Sequence, residues 1–144
     1  MTEDFRQELC MDGSVAELPN IIEFVNHACE EADISPTQRF DLQLAVEEAC
    51  MNVIEHAYGG KGGELTVCVE VAGPDVEITV TDHGRPFDPR LVAAPDLRQP
   101  LEERPIGGLG IFLMQQLMDE VEFAFSADGN RLRMVKRGVR PETG

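Results

Sequence analysis

A glutamate and an asparagine, Glu48 and Asn52, lie four residues apart in a segment whose apolar residues recur at helical spacing. Their side chains, followed by that of His56, should therefore lie along one side of a helix. The amide oxygen of Asn52 could ligate a Mg²⁺ ion that bridges phosphates, while the carboxylate of Glu48 could take a proton from an attacking hydroxyl or water. Taken alone, the pattern on this helix indicates a solvent-exposed face rather than a catalytic site, because Glu48 and its neighbours Glu47 and Glu55 are ordinary surface residues.

A second cluster, Asp82-His83-Gly84 with the sequence RPFD behind it, comes directly after a predicted strand. An aspartate at the end of a buried strand can offer a carboxylate oxygen to the amino group of adenine, while Gly84 lets the chain turn sharply. An ordinary strand-to-loop turn uses the same residue types, so the cluster is equally compatible with a purely structural role.

A third cluster is the glycine-rich run Gly107-Gly108-Leu109-Gly110, which comes just before the apolar residues of a predicted helix. Glycines at a helix start leave backbone N–H groups and the positive end of the helix dipole open to an anion, most often a phosphate. Glycine before a helix also makes simple turns, so this run alone is a weak signal.

The elements that must position these clusters are predicted from periodicity and capping signals. Ser35-Pro36-Thr37-Gln38 is typical of a capping box with proline at the first helical position, and Gly59-Gly60 would end that helix. Residues 85–105 lack periodicity and hold five of the nine prolines, as expected for a long functional or mobile loop. The predicted elements are strands over residues 5–11, 65–71, 76–80, 121–125 and 132–135, and helices from residue 19, over 36–58 and over 111–118. Their order predicts an α+β fold in one domain, with helices on one face of a mixed, largely antiparallel sheet.

The charge balance bears on which partners are possible. Against 27 acidic residues there are only 12 basic ones, which gives a net charge of −15 at pH 7. Such a surface repels nucleic acid phosphates and anionic lipid, so we expect no direct nucleic acid binding. The acidic surface suits a partner protein with a basic patch, or it only keeps the protein soluble. Because no apolar run approaches the roughly 18 residues of a membrane span, we expect no membrane insertion.

The four cysteines, Cys10, Cys29, Cys50 and Cys68, show no C-x-x-C spacing, and each lies in an apolar or periodic segment. We expect buried thiols in a reducing cytoplasm rather than disulfides or a zinc site. The acidic N-terminus lacks an apolar signal core, which also predicts a cytoplasmic protein. The three histidines are too scattered to predict a metal cluster.

In their order along the chain, the three clusters resemble the N, G1 and G2 boxes of the GHKL ATPases. The matching residues are Glu48-Ala49-Cys50-Met51-Asn52 with His56-Ala57-Tyr58 after it, the segment from Asp82 to Asp88, and Gly108-Leu109-Gly110-Ile111-Phe112-Leu113. Residues 107–121 look most like the anti-sigma-factor serine kinases of the RsbW type within that superfamily. The likeness extends over residues 9–136, and as a set the boxes are far more specific than any one of them.

The resemblance implies a Bergerat ATP-binding fold, a two-layer α/β sandwich, with ATP and Mg²⁺ as cofactors. It implies that Glu48 is the catalytic carboxylate, that Asn52 holds Mg²⁺, and that Asp82 contacts adenine. Gly84 would let the base sit close, and Gly108 with Gly110 would belong to the phosphate-binding end of a lid over residues 88–110. A loose tail is expected from about residue 138.

The function that this resemblance implies is phosphorylation of a serine on a small antagonist protein with a STAS fold. The kinase would hold a sigma factor in competition with that anti-anti-sigma antagonist, and family likeness is compatible with a homodimer. The alternative is a nucleotide-dependent binding module with little or no kinase activity, in which ATP orders the lid and the interface with a regulator. We do not expect a two-component histidine kinase, which needs an upstream helix bearing the phospho-acceptor histidine.

Overall fold

Five β-strands form one sheet in the order β1-β2-β3-β5-β4. The computed structural model describes residues 4–88 and 114–140. Every neighbouring pair in the described sheet is antiparallel, so the predicted α+β class is confirmed and the sheet contains no parallel pair in those ranges. The strands are β1 (Phe5–Asp12), β2 (Glu64–Ala72), β3 (Asp75–Asp82), β4 (Glu120–Ser126) and β5 (Gly129–Lys136).

Two long helices cover one face of this sheet. Helix α1 (Leu18–Glu31) packs against β1 and β2, and α2 (Pro36–Asn52) packs against α1 and β3. Alternate residues of β2 and β3, such as Val67 and Ile78, are fully buried beneath the helices. Burial of each such side chain contributes about 1.5–3 kcal/mol. The opposite face carries polar side chains such as Thr66 and Thr79, so the predicted two-layer arrangement is confirmed.

Helix α2 begins at its predicted capping box, where the Gln38 N–H donates to Ser35 Oγ at 3.4 Å. Its last turn differs from the expectation, because residues Val53–Ala57 form a π-helix. The Tyr58 N–H donates to the Val53 carbonyl oxygen at 3.1 Å, five residues back. A π turn contains more residues than an α turn, so His56 does not continue the four-residue spacing of Glu48 and Asn52. The helical segment then ends before Gly59 and Gly60, as predicted.

The C-terminal part of the described chain is anchored rather than loose. The Gly138 N–H donates to Asp75 Oδ1 at 3.0 Å, and the Val139 N–H donates to the Pro74 carbonyl oxygen at 2.8 Å. Val139 is buried. The expectation of a loose tail from residue 138 is therefore wrong for residues 138–140, because they pack on the turn between β2 and β3.

Two of the four cysteines are not buried, contrary to the sequence-based expectation. Cys29 and Cys50 lie in the helical layer and are buried, whereas Cys10 is exposed and Cys68 is half-buried. Strand alternation explains the difference, because Cys10 and Cys68 point to the open face of the sheet while their neighbours in β1 and β2 face the helices.

Candidate functional site

A small cavity lies between the C-terminal part of α2 and strands β3, β4 and β5. Asn52 from α2 and Asp82 from the end of β3 both line it, although they are distant in sequence. Most of the remaining wall is apolar, with Val80, Phe87 and Leu132 contributing. A mostly apolar cavity with a few convergent polar groups is typical of a small-molecule site.

Asp82 brings a carboxylate into this cavity although it is only 1% exposed. Its Oδ1 accepts the Gly84 N–H at 2.9 Å and an N–H of Asn130 Nδ2 at 3.0 Å. Its Oδ2 is buried and has no hydrogen-bond partner in the described part of the chain. Because an unpaired buried oxygen is costly, Oδ2 is an acceptor prepared for a donor that a ligand would bring.

Asn52 supplies the second unpaired polar group of the cavity. It is 3% exposed, and its Nδ2 is buried with no partner among the described residues. Rotation of the amide about χ2 exchanges its nitrogen and oxygen, so the same side chain can present an oxygen ligand to a cation.

This donor set fits Mg²⁺ only in company with a phosphorylated ligand. Across residues 4–88 and 114–140, no three His, Cys, Asp or Glu side chains form a group that could hold a metal ion. Mg²⁺ commonly keeps several waters and binds substrate phosphates through few protein ligands. One amide oxygen at Asn52 is compatible with that mode of binding.

Glu48 lies one helical turn before Asn52 and is partly exposed. It does not line the cavity wall itself. Burial, and then the nearby carboxylates of Glu47 and Glu55, raise the pKa of Glu48 above its ordinary value. A carboxylate with a raised pKa is a better proton acceptor near neutral pH, which is the property a general base needs.

Gly84 is fixed by a close approach of the chain to the end of the helical segment. A Cβ at Gly84 would lie 2.5 Å from the Ala57 carbonyl oxygen. The same carbonyl accepts the Arg85 N–H at 3.0 Å, so the loop after β3 docks on the π turn. This contact explains a glycine here without a ligand, and the predicted role of Gly84 beside adenine stays a prediction.

The glycine-rich cluster cannot be placed in the cavity. Gly107, Gly108 and Gly110 lie outside the described residues, as does the predicted lid apart from Asp88. Residues 114–117 are helical, in agreement with the C-terminal part of the helix predicted over 111–118.

Asn130 and Phe87 are cavity residues to which the sequence assigned no role. Asn130 lies directly opposite Asp82 in the β3–β5 register, and Phe87 packs its ring 5.7 Å from that of His56. Asn130 lies between the strands predicted over residues 121–125 and 132–135, where asparagine is an ordinary turn residue. Only the strand pairing indicates that its amide reaches Asp82.

Comparison with known proteins agrees with this architecture. The model of the family described as histidine kinase-like ATPase domain matches residues 12–136. The chain is 37% identical over 86 residues to "Serine-protein kinase RsbW" of Bacillus cereus (strain ATCC 10987 / NRS 248), covering 57% of this chain and 54% of that protein. A protein of the same name from Bacillus thuringiensis subsp. konkukian (strain 97-27) is 36% identical with the same coverage. The chain thus spans about half the length of the curated relatives it matches.

Solved structures show the same fold at low sequence identity. The structure of the RsbU and RsbW domains of Rv1364c from Mycobacterium tuberculosis matches with a TM-score of 0.70 at 18% identity, covering 96% of this chain and 34% of that one. The histidine kinase domain from the Erythrobacter litoralis EL346 blue-light activated histidine kinase matches with a TM-score of 0.54 at 20% identity, covering 85% of this chain and 60% of that one. Within the described ranges, no helix has both the length and the apolar character needed to cross a membrane.

Proposed function

We propose, on the premise that this chain belongs to the histidine kinase-like ATPase domain family, that it binds ATP with Mg²⁺ and phosphorylates a partner protein on serine. The observation that carries the proposal is that Asn52 and Asp82 meet at one cavity, where each has a buried polar atom without a partner among the described residues. A nucleotide satisfies both atoms, because its base brings N–H donors to Asp82 Oδ2 and its phosphate oxygens can accept from Asn52 Nδ2. With the amide turned about χ2, the Asn52 oxygen can instead ligate the cation that the phosphates bring.

The base end of the nucleotide would lie at Asp82. The 6-amino group of adenine can donate to the free Oδ2, while Oδ1 remains held by the Gly84 N–H and by Asn130. The apolar side chains of Val80 and Leu132 would pack against the faces of the purine. Burial of the ring then removes water from the hydrogen bond at Oδ2, which strengthens it.

The phosphate end would lie toward Asn52 and Glu48. Bound Mg²⁺ would neutralise charge on the phosphates as the γ-phosphoryl group moves. Asn52 would hold that ion in place through its amide oxygen. Glu48, one turn away and with a raised pKa, would accept the proton of the attacking serine hydroxyl and so act as the general base. The glycines Gly108 and Gly110 would complete the site with backbone N–H groups toward the phosphates.

The partner side of the proposal rests on the similarity to proteins named "Serine-protein kinase RsbW". We infer that the acceptor serine belongs to a STAS-type anti-sigma-factor antagonist, and that the chain acts as an anti-sigma factor on a sigma factor, in the cytoplasm. The net charge of −15 favours partners that present basic surface patches. A homodimer is part of this proposal.

The alternative function is a nucleotide-dependent binding module without phosphotransfer. One observation favours it: Glu48, the proposed base, does not line the cavity that Asn52 and Asp82 share. In that case ATP would bind and order the interface with a sigma factor or another regulator, and no serine would be phosphorylated.

Binding and transfer can be tested separately. Calorimetry with Mg-ATP should show binding that Asp82→Asn weakens at least about tenfold, because the carboxylate acceptor is lost. Asp128→Asn, the same chemical change on an exposed turn, should bind like the unaltered protein. When the protein is then incubated with labelled ATP and STAS-domain proteins from the same genome, it should phosphorylate one of them. The Glu48→Gln variant should still bind ATP but transfer no phosphoryl group. Binding without transfer to any STAS protein would favour the binding module, and absence of ATP binding would refute both functions.

A further inference from the structure

The side chain of Asn130 is shared by three separate parts of the site. Its Nδ2 donates to Asp82 Oδ1 at 3.0 Å and to the Arg85 carbonyl oxygen at 2.9 Å. Its Oδ1 accepts the Phe87 N–H at 3.1 Å. Both amide hydrogens and the carbonyl oxygen are therefore occupied, which fixes the orientation of the amide without ambiguity.

The backbone holds Asn130 in this position. Asp82 and Asn130 are directly paired in the β3–β5 register. At the preceding residue, Gly129, a Cβ would lie 2.0 Å from the Asp82 carbonyl oxygen, and the φ of 133° is one that L side chains rarely adopt. Only glycine lets the two strands approach this closely, so the backbone of Asn130 stays directly opposite Asp82.

We propose that Asn130 is a positioning residue that makes the site select 6-aminopurine over 6-oxopurine nucleotides. This inference rests on the proposed nucleotide function and adds a residue that determines its specificity. By donating to Oδ1 together with the Gly84 N–H, Asn130 fixes the rotation of the Asp82 carboxylate and leaves Oδ2 as a bare acceptor facing the cavity.

The chemistry of the two purine classes at that atom is opposite. A 6-amino group donates a hydrogen bond to Oδ2, whereas a 6-oxo group places a second acceptor against it. Two buried acceptors with no proton between them repel, and this penalty discriminates more strongly than the loss of an apolar contact. Selection requires that the carboxylate cannot turn, and the hydrogen bond from Asn130 supplies that restraint.

The remaining two hydrogen bonds of Asn130 position the apolar wall. They hold the backbone at Arg85 and Phe87, and the Phe87 ring lines the cavity at 5.7 Å from the His56 ring. Loss of the Asn130 amide would therefore release both the polar and the apolar contacts of the purine. A change at this one residue should alter base selectivity as well as affinity.

The test compares ATP with ITP, which carries a 6-oxo group in place of the 6-amino group, by calorimetry on the full chain. The unaltered protein should bind ATP at least about tenfold more tightly than ITP. Asn130→Asp keeps the shape but removes both donors, so two carboxylates face each other where the 3.0 Å hydrogen bond was. At pH 8 this variant should lose about tenfold or more in ATP affinity.

At pH 5.5 the paired carboxylates of Asn130→Asp can share one proton, which restores the hydrogen bond between them. ATP affinity should then recover toward that of the unaltered protein, because the restored hydrogen bond again holds Oδ1 and leaves Oδ2 free to accept from the 6-amino group. Other ionisable side chains near this pair are those of Tyr58, His83, Arg85 and Arg131. Each variant is therefore compared with the unaltered protein at the same pH, so that these side chains affect both proteins alike. A matched control is Asn20→Asp, at an exposed position of α1; this variant should bind both nucleotides like the unaltered protein.

Asn130→Ala provides a second variant should Asn130→Asp fail to fold, as judged from ligand-free melting curves. It should weaken ATP binding and narrow the ATP/ITP ratio at both pH values. Unchanged ATP affinity and an unchanged ATP/ITP ratio in these variants would overturn the role of Asn130 while leaving ATP binding intact. If the unaltered protein binds neither nucleotide, the proposed function fails, and the role of Asn130 in base selection fails with it.

Discussion

The hydroxyl of Tyr58 accepts the backbone N–H of His83 at 2.8 Å and donates to the Glu64 carbonyl oxygen. Tyr58 follows the π turn, Glu64 begins β2, and His83 comes directly after Asp82. One hydroxyl therefore ties the end of the helical segment to the start of β2 and to the residue that follows β3. The Tyr58–His83 hydrogen bond restrains the backbone at the position from which the Asp82 carboxylate projects.

Tyr58→Phe should lower the free energy of unfolding by about 1–2 kcal/mol, because it leaves the His83 N–H without its acceptor. Urea denaturation measures this change. Ser14→Ala removes a hydroxyl that makes no capping hydrogen bond, and it should change stability by less than about 0.5 kcal/mol. Equal stability of Tyr58→Phe and the unaltered protein would contradict the restraint.

Gly84→Ala should destabilise the fold by about 2 kcal/mol or more, because its Cβ would meet the Ala57 carbonyl oxygen at 2.5 Å. Gly73→Ala is the control: it has open space around its Cβ but a φ of 59°, so it should cost only about 1 kcal/mol. Thermal and urea unfolding should rank Gly84→Ala as the less stable variant, and the reverse ranking would show that the loop does not dock on the helix end.

The local elements could be predicted because their signals are short-range. The capping hydrogen bond from the Gln38 N–H to Ser35 Oγ needs only four consecutive residues. Alternation of Val67 and Val69 with polar residues defines β2 and its buried face directly. Periodicity of this kind predicts which face of an element is buried, and so it predicts the two layers.

The contacts that arrange the site are long-range, and local patterns do not contain them. Asn130 reaches Asp82 across 48 residues of sequence, and its role depends on the β3–β5 register. The π turn over Val53–Ala57 also escapes prediction, since its buried residues satisfy a helical apolar pattern in either geometry. Only the family resemblance predicts that Asn52 and Asp82 lie at one site.

Glu48→Gln should raise thermal stability at neutral pH. Burial raises the pKa of Glu48 above its ordinary value of 4.5, so the folded state holds this proton more tightly than the unfolded state does. Stability from this group is therefore present at low pH and is lost as pH rises through the raised pKa. Glutamine does not ionise, so Glu48→Gln avoids the loss of stability that ionisation of the buried carboxyl causes.

Melting curves between pH 3.5 and 8 test this dependence. The advantage of Glu48→Gln should be largest at pH 7–8 and should shrink toward pH 4, where the glutamate is protonated in both states. Glu23→Gln, on the exposed side of α1, is the matched control and should show a smaller change. A Glu48→Gln variant that melts lower than the unaltered protein at pH 8 would contradict the burial of this carboxyl.

The four thiols should differ in reactivity toward Ellman's reagent at pH 8. Burial raises the pKa of Cys29 to about 11 and of Cys50 to about 12, so neither should react until the protein unfolds. Exposed Cys10 should react first, and half-buried Cys68, whose pKa is also raised by burial, should react more slowly. Cys10→Ser should remove only the fast phase; four thiols reacting at one rate in the folded protein would contradict the two-layer core.

The most direct test of the central claim is a crystal structure with Mg²⁺ and a non-hydrolysable ATP analogue. We expect the adenine 6-amino group within about 3 Å of Asp82 Oδ2, with Asn52 directed at the magnesium–phosphate group. Oδ1 should keep its hydrogen bonds to Gly84 and Asn130. A nucleotide bound elsewhere, or one whose base leaves Oδ2 of Asp82 without a donor, would contradict it.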